Sequence, residues 1–155
     1  LPQLASTSPG QGPWSFTPAP APGPPGGYGT WHLLLPGGRT LTVQLEPVPT
    51  TSCDHRHESR AYQPNQTLRH LVQVRDGECT FPTCSRHARE TDFEHAVPYH
   101  HGGPTCACNA GARSRQCHQV KQTKGWHLTQ PRPGWHQWTT PAGRTYTQTP
   151  KAYPA

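Results

Sequence analysis

The sequence predicts an α+β protein with a small core. Only 30% of its 155 residues are hydrophobic, and it contains 20 prolines and 15 glycines, so much of the chain can bury little apolar surface. Several short strand-like stretches accompany only two stretches of helical spacing. A core of this size usually needs crosslinks, which six cysteines and eleven histidines can supply.

The N-terminal part divides into a linker and a hairpin. Residues 1–28 are rich in proline and glycine, and we expect them to form a disordered linker. The stretches "TWHLLL" and "RTLTVQLEPV" flank Pro36-Gly37-Gly38 and predict a β-hairpin over residues 29–50. Because the chain begins at Leu1 and contains no methionine, we expect a C-terminal fragment of a longer protein.

The remaining elements are one early helix and a late meander. Leu68, Leu71 and Val72 follow a Pro-Asn start signal and precede Gly77, which predicts a helix over about 65–75. Residues 126–155 predict a three-stranded β-meander extension. We expect its packed face to hold four aromatic residues: Trp126, Trp135, Trp138 and Tyr146.

The charge of the chain favours a polyanionic partner. The formal net charge is +6 and the sequence pI is about 9.2, which suits phosphate contacts. No apolar run is long enough to span a bilayer. We therefore expect a soluble, cytoplasmic protein that binds nucleic acid and no membrane.

The cysteines predict metal binding rather than disulfides, because histidines are interleaved with them. "CTFPTC" places Cys79 and Cys84 in a C-x4-C loop, and Cys117 is the third expected ligand of a structural zinc. Cys106 and Cys108 are alternatives for the fourth ligand. Cys53, with His55 or His57, can complete this site or begin a second metal site. The open alternative is a disulfide-rich secreted domain.

A second group of residues suits hydrolysis of a phosphodiester. Such a reaction needs a base and a divalent cation, and His95 at the end of "TDFEHAV" has the side chain suited to act as a base near neutral pH. Asn109 can hold the backbone around His95 and stands where a helix N-cap belongs. His118 and Lys121 share a helix face, so we expect His118 to bind the cation and Lys121 to contact a phosphate.

These residues carry a resemblance to a known family. "FEHAVPYHHGGPTCACNAGARSRQCHQVK" resembles the HNH endonuclease motif, with His95, Asn109 and His118 at the three eponymous positions and the C-x4-C loop as the zinc knuckle. "CDHRHESRAYQPNQTLRHLVQVRDGECTFPTC" and "GWHQWTTPAGRTYTQTPKAYPA" are similar to the C-terminal part of actinobacterial HNH endonucleases that carry an upstream helical domain of unknown function. The resemblance covers roughly residues 28–155.

The resemblance implies a ββα-metal fold, also called a His-Me finger, in a zinc-bearing nuclease core over residues 51–125. It implies that His95 is the general base of a one-metal DNA endonuclease and that Asn109 orients it. Glu94 and His118 would bind Mg²⁺ or another divalent cation, with Asp92 as a second acidic candidate. Ser114 departs from the family pattern, because many members have a zinc ligand there.

Two further expectations concern the alternative function and the remaining histidines. The altered cysteine pattern and the basic charge leave a zinc-stabilised nucleic-acid-binding module without catalysis as the alternative function. Several histidines are expected to lie at the surface or to be half-buried rather than to act as ligands: His32, His70, His100, His101, His127 and His136.

Overall fold

A computed structural model describes residues 15–20 and 28–153. The chain divides into two units, Leu1–Pro47 and Val48–Ala155. The boundary between the two units therefore lies close to the end of the predicted hairpin. The predicted nuclease core and the predicted meander fall within one unit. Among the described residues, no helix is long and apolar enough to cross a membrane.

The first unit contains a three-stranded antiparallel sheet. The predicted hairpin is confirmed as β2 (Thr30–Leu34) and β3 (Thr40–Gln44). β1 (Ser15–Pro18) pairs with the other edge of β2, which corrects the disorder expected for these four residues, because the open edge of β2 offers them backbone partners. The rest of the expected linker, apart from residues 19, 20 and 28, lies outside the described residues.

The second unit begins its regular structure with α1 (Gln66–Asp76), which confirms the predicted helix. The Asn65 side chain accepts a hydrogen bond from the Leu68 N–H at 2.8 Å, an N-cap that satisfies a free backbone donor. Gly77 ends the helix at a φ of +67°, a conformation that glycine adopts without strain. The helix packs Leu68 and Val72 into the core.

A two-stranded sheet and a second helix follow. β4 (Asp92–His95) pairs antiparallel with β5 (Ala110–Arg113), and α2 (Arg115–Gln122) starts two residues after β5. The prediction that Asn109 caps α2 is wrong. Residues 110–113 extend as a strand, and the cap is Ser114, whose hydroxyl accepts from the Cys117 N–H.

The C-terminal meander is confirmed as β6 (His127–Arg132), β7 (Trp135–Thr139) and β8 (Thr145–Gln148). Its predicted aromatic face is wrong in part, because Trp138 is fully buried whereas Tyr146 is exposed. Strand alternation places His136, not Trp135, on the buried face beside Trp138. The indole of Trp138 donates to the Thr80 carbonyl at 2.7 Å.

Candidate active site and two cysteine clusters

A cleft of about 480 Å³ lies at the end of β4, beside α2 and the short 3₁₀ turn Tyr99–His101. Strand β4 ends at His95, so Glu94 and His95 both reach this cleft although neighbouring strand residues start on opposite faces. The side chains that line it are Tyr62, Glu94, His95, Pro98, Tyr99, His100, His118, Lys121 and Gln122.

His95 is held by contacts on several sides. Its Nε2 lies 2.9 Å from the Thr105 hydroxyl, and its ring stacks on Tyr62 with centroids 5.4 Å apart. The residue is only 3% exposed. Burial lowers the pKa of His95, and the Lys121 and Arg113 charges lower it further against the opposing effect of Glu94. The imidazole is therefore neutral at pH 7.

Glu94 contacts two side chains of α2. Its Oε2 lies 2.8 Å from His118 Nδ1, and its Oε1 lies 3.1 Å from Lys121 Nζ. The predicted helix face is thus confirmed, because both side chains contact one carboxylate. Lys121 also donates to the His95 carbonyl, which links α2 to the end of β4. Burial lowers the pKa of Lys121.

Asp92 lies outside the cleft. Its carboxylate pairs with Arg115 at 3.0 Å, and both side chains are well exposed. Of the two acidic residues named from the sequence, only Glu94 lines the cleft.

Asn109 holds the backbone beside His95, as the sequence predicts. Its Oδ1 accepts from the Val97 N–H at 2.8 Å, and its Nδ2 donates to the carbonyls of Val97 and Pro104 at 3.0 and 2.9 Å. The Ala96 N–H also donates to the Asn109 carbonyl. Gly103 packs tightly here, since a Cβ at that position would lie 1.9 Å from the Val97 oxygen.

A buried ionic network supports both strands of the site. Arg75 pairs with Asp76 and donates to the carbonyls of Ala107 and Ala110. Asp76 in turn accepts from the Ala112 N–H. The chain segment that carries Cys108 and Asn109 is therefore fixed to the end of α1 at both of its ends.

The same network contains His136, which is fully buried and therefore corrects the expectation of a surface or half-buried residue. Arg113 Nη2 lies 3.3 Å from its Nδ1, and Arg113 Nη1 donates to the Glu94 carbonyl. Burial lowers the pKa of His136 to about 4. Burial opposes the charge on Asp76 too, but Arg75 and His136 lower its pKa to about 2.

Three of the expected zinc ligands lie together. The Sγ atoms of Cys79, Cys84 and Cys117 lie within 4.8 Å of one another, and we call them the Cys79 cluster. Ser114 contacts this cluster: its hydroxyl lies 3.8 Å from Cys84 Sγ and its N–H donates to Cys79 Sγ. Burial raises the pKa of Cys117 to about 12, so a metal ion is needed to hold it as a thiolate at pH 7.

Cys106 and Cys108 do not complete the Cys79 cluster. They lie with Cys53 and His55, and one ligand atom from each of the four falls within 4.8 Å of the others. We call this group the Cys53 cluster; His57 is not part of it. Among the described residues, these two groups are the ones that bring three or more potential ligands together. Both can hold a metal ion, and all six cysteines are free.

The residues that contact His95 most closely were missed by the sequence analysis. Thr105 and Tyr62 come from a loop and from a turn before α1, and no periodic pattern marks them. The sequence did contain one signal for this contact, the two ligand pairs Cys53-x-His55 and Cys106-x-Cys108. If both pairs bind one metal ion, their segments must lie side by side, and these segments lead to Tyr62 and Thr105.

The chain has uncharacterised relatives. It is 32% identical over 146 residues, 88% of its length, to the uncharacterised proteins MT2160 and Rv2100 from two strains of Mycobacterium tuberculosis. It is 34% identical over 118 residues, 76% of its length, to the uncharacterised protein Rv3776 of the same species. The chain spans 26% of the first two proteins and 21% of the third. No family model and no solved structure matches it.

Proposed function

We propose that this chain is a metal-dependent DNA endonuclease of the HNH type, with β4, β5 and α2 as its ββα-metal unit. The observation that carries the proposal is the convergence of His95, Glu94, His118 and Lys121 on one cleft. The order of elements supports it, because a hairpin carries the histidine and the helix that follows carries the second histidine. DNA as the substrate rests on the resemblance and on the net charge of +6.

His95 is the general base in this proposal, and its contacts assign the basic atom. The single hydroxyl hydrogen of Thr105 is directed to the Tyr62 carbonyl at 3.3 Å. With that hydrogen used, the Thr105 oxygen can accept from Nε2–H of His95, and we assign this tautomer. In the neutral ring the unprotonated nitrogen is therefore Nδ1, which takes the proton from the attacking water. Asn109 positions His95 by fixing the backbone that follows it.

Glu94 and His118 are the proposed ligands of a Mg²⁺-type cation. A carboxylate oxygen and an imidazole nitrogen 2.8 Å apart have the separation expected of adjacent ligands around a small divalent ion, about 3 Å for metal–ligand bonds of about 2.1 Å. Such ions commonly take their other ligands from water and substrate phosphate. The cation would stabilise charge at the phosphate. With Glu94 holding the cation, Lys121 would be free to contact a phosphate oxygen.

The experiment is a supercoiled-plasmid assay with Mg²⁺ or Mn²⁺, comparing the unmodified chain with His95→Ala. We expect relaxed or linear plasmid with the unmodified chain, and a loss of rate on the order of 10²–10⁴-fold for His95→Ala, the usual contribution of a general base. His101→Ala is the matched control, since His101 is an exposed histidine that does not line the cleft. Equal rates for His95→Ala and the unmodified chain would refute the assignment.

The alternative is a zinc-stabilised nucleic-acid-binding module without catalysis. It is favoured by Ser114, which stands in the Cys79 cluster where the family pattern has a metal ligand. Intact plasmid at every metal concentration, together with DNA binding that weakens steeply with salt, would replace the nuclease by this module.

A further inference from the structure

The Cys53 cluster contains a complete set of four donors. Three thiols and one imidazole are the ligands of a common type of closed structural zinc site, which is tetrahedral. Cys53 Sγ lies 3.4 Å from Cys106 Sγ, and Cys106 Sγ lies 3.4 Å from His55 Nδ1. Zn–S bonds of about 2.3 Å and Zn–N bonds of about 2.0 Å give tetrahedral edges of roughly 3.5–3.8 Å. These two distances therefore need to change by only a few tenths of an ångström, and the remaining donor pairs lie within 4.8 Å of one another.

The backbone brings these donors together independently of any ion. Ser59 and Thr105 form an antiparallel bridge, with the Ser59 N–H donating to the Thr105 carbonyl at 2.9 Å. Cys53 packs against the core that contains Leu68. On the other segment, Arg75 fixes the carbonyls on either side of Cys108, as described above. Both halves of the site are thus held before a ligand binds.

His55 adopts an energetically unfavourable backbone conformation at this site. Its φ of +58° makes it the one non-glycine residue with a positive φ among the described residues, a conformation that is unfavourable for most side chains. The turn directs its ring to Cys106. Its Nδ1 also pairs with Glu58 at 2.8 Å, but both side chains are largely exposed, so releasing this pair costs little.

We propose that the Cys53 cluster binds a structural zinc ion through Cys53, His55, Cys106 and Cys108, separately from the Cys79 cluster. Its effect on the rest of the protein follows from the two segments that it joins. One segment leads to Tyr62, which stacks on His95. The other begins beside Thr105, which contacts His95 Nε2. The zinc would therefore cross-link the two chain segments that lead to Tyr62 and Thr105.

The test is the zinc content of the purified, reduced chain, measured by elemental mass spectrometry. We expect Cys108→Ser and Cys53→Ser each to lose one zinc ion per chain, and Cys79→Ser to leave the zinc of the Cys53 cluster in place. His55→Gln should lose or weaken the same ion, whereas His57→Gln, a histidine two residues away that is not in the cluster, should not. An unchanged zinc content in Cys53→Ser and Cys108→Ser would overturn the proposal.

A second measurement covers the case in which the variants do not fold. In the unmodified chain, Cys53 and Cys108 should resist alkylation while zinc is bound and react after a chelator is added, as mapped by peptide mass spectrometry. Equal alkylation in both states, or a Cys53–Cys106 disulfide in the native protein, would overturn the zinc site. Because neither readout measures cleavage, failure of the nuclease proposal leaves this result intact.

Discussion

His95 and His118 face the same cleft but have different surroundings. His95 is 3% exposed, stacks on Tyr62 and contacts a neutral hydroxyl. The side chain of His118 is 27% exposed and lies 2.8 Å from the Glu94 carboxylate. The first environment favours a neutral ring, whose pKa is lowered mainly by burial. The second places an imidazole nitrogen beside a carboxylate oxygen, two donor types that can share a divalent cation in the proposed site.

Under the proposed function, these surroundings suit two separate roles. Burial favours the neutral form of His95 and the Thr105 contact favours one tautomer, both of which suit a general base. His118 lies beside the Glu94 carboxylate, so the two side chains could share one cation.

The largest expected effect separates these roles by metal titration. His118→Asn should slow plasmid cleavage by at least the roughly 10–100-fold that loss of an outer-shell partner causes and shift the Mn²⁺ dependence to higher concentration, because a proposed cation ligand is weakened. His95→Asn should lower the rate without moving the Mn²⁺ dependence, because the base does not bind the ion. His127→Asn, at an exposed histidine, is the control. Identical Mn²⁺ curves for His118→Asn and the unmodified chain would remove His118 from the cation site.

A third histidine extends the comparison to a residue with no access to the cleft. The pKa of His136 is about 4 in the folded protein and 6.5 in the unfolded chain, so the unfolded chain binds more protons between these values. Stability should therefore fall by about 3 kcal/mol as the pH drops from about 6.5 to 4. His136→Gln should lack this component. Urea unfolding of both proteins across this range measures the difference, and parallel pH profiles would contradict it.

The smallest expected effect concerns the charge next to His95. Lys121 lowers the pKa of His95, so Lys121→Gln should raise that pKa and move the acid limb of the cleavage profile to higher pH. Glutamine can still donate to Glu94. Lys124→Gln, at an exposed lysine nearby in the chain, should leave the acid limb unchanged. If the acid limb of the Lys121→Gln profile lies at the same pH as in the unmodified chain, His95 is not the group whose titration sets that limb.

Much of the fold follows from local patterns in the sequence. The hairpin, α1 and the meander were predicted because turn residues and apolar spacing are local signals. The strand at residues 110–113 was missed because its four residues pair with β4, a contact that local spacing does not encode. His136 was misjudged for the same reason, since its burial depends on Asp76 and Arg113 from other elements.

The candidate site was predicted in part. Helical spacing predicts that His118 and Lys121 share a face, but it does not predict that both contact Glu94. All six cysteines were predicted as candidate metal ligands, and they lie in two groups that could hold a metal ion; spacing alone could not assign Cys106 and Cys108 to Cys53 and His55. Their assignment depends on the bridge between Ser59 and Thr105, which joins residues distant in sequence.

The hydrogen bonds of Asn109 have a consequence for motion. One side chain holds both ends of the loop from Val97 to Pro104 through three bonds, and Gly103 packs so closely there that a Cβ would meet the Val97 oxygen. Opening of this loop must therefore break the three bonds together, which makes it a cooperative local transition rather than a gradual loosening. Hydrogen exchange at the Val97 amide reports the free energy of that transition, and thus how often water reaches the wall of the cleft beside His95.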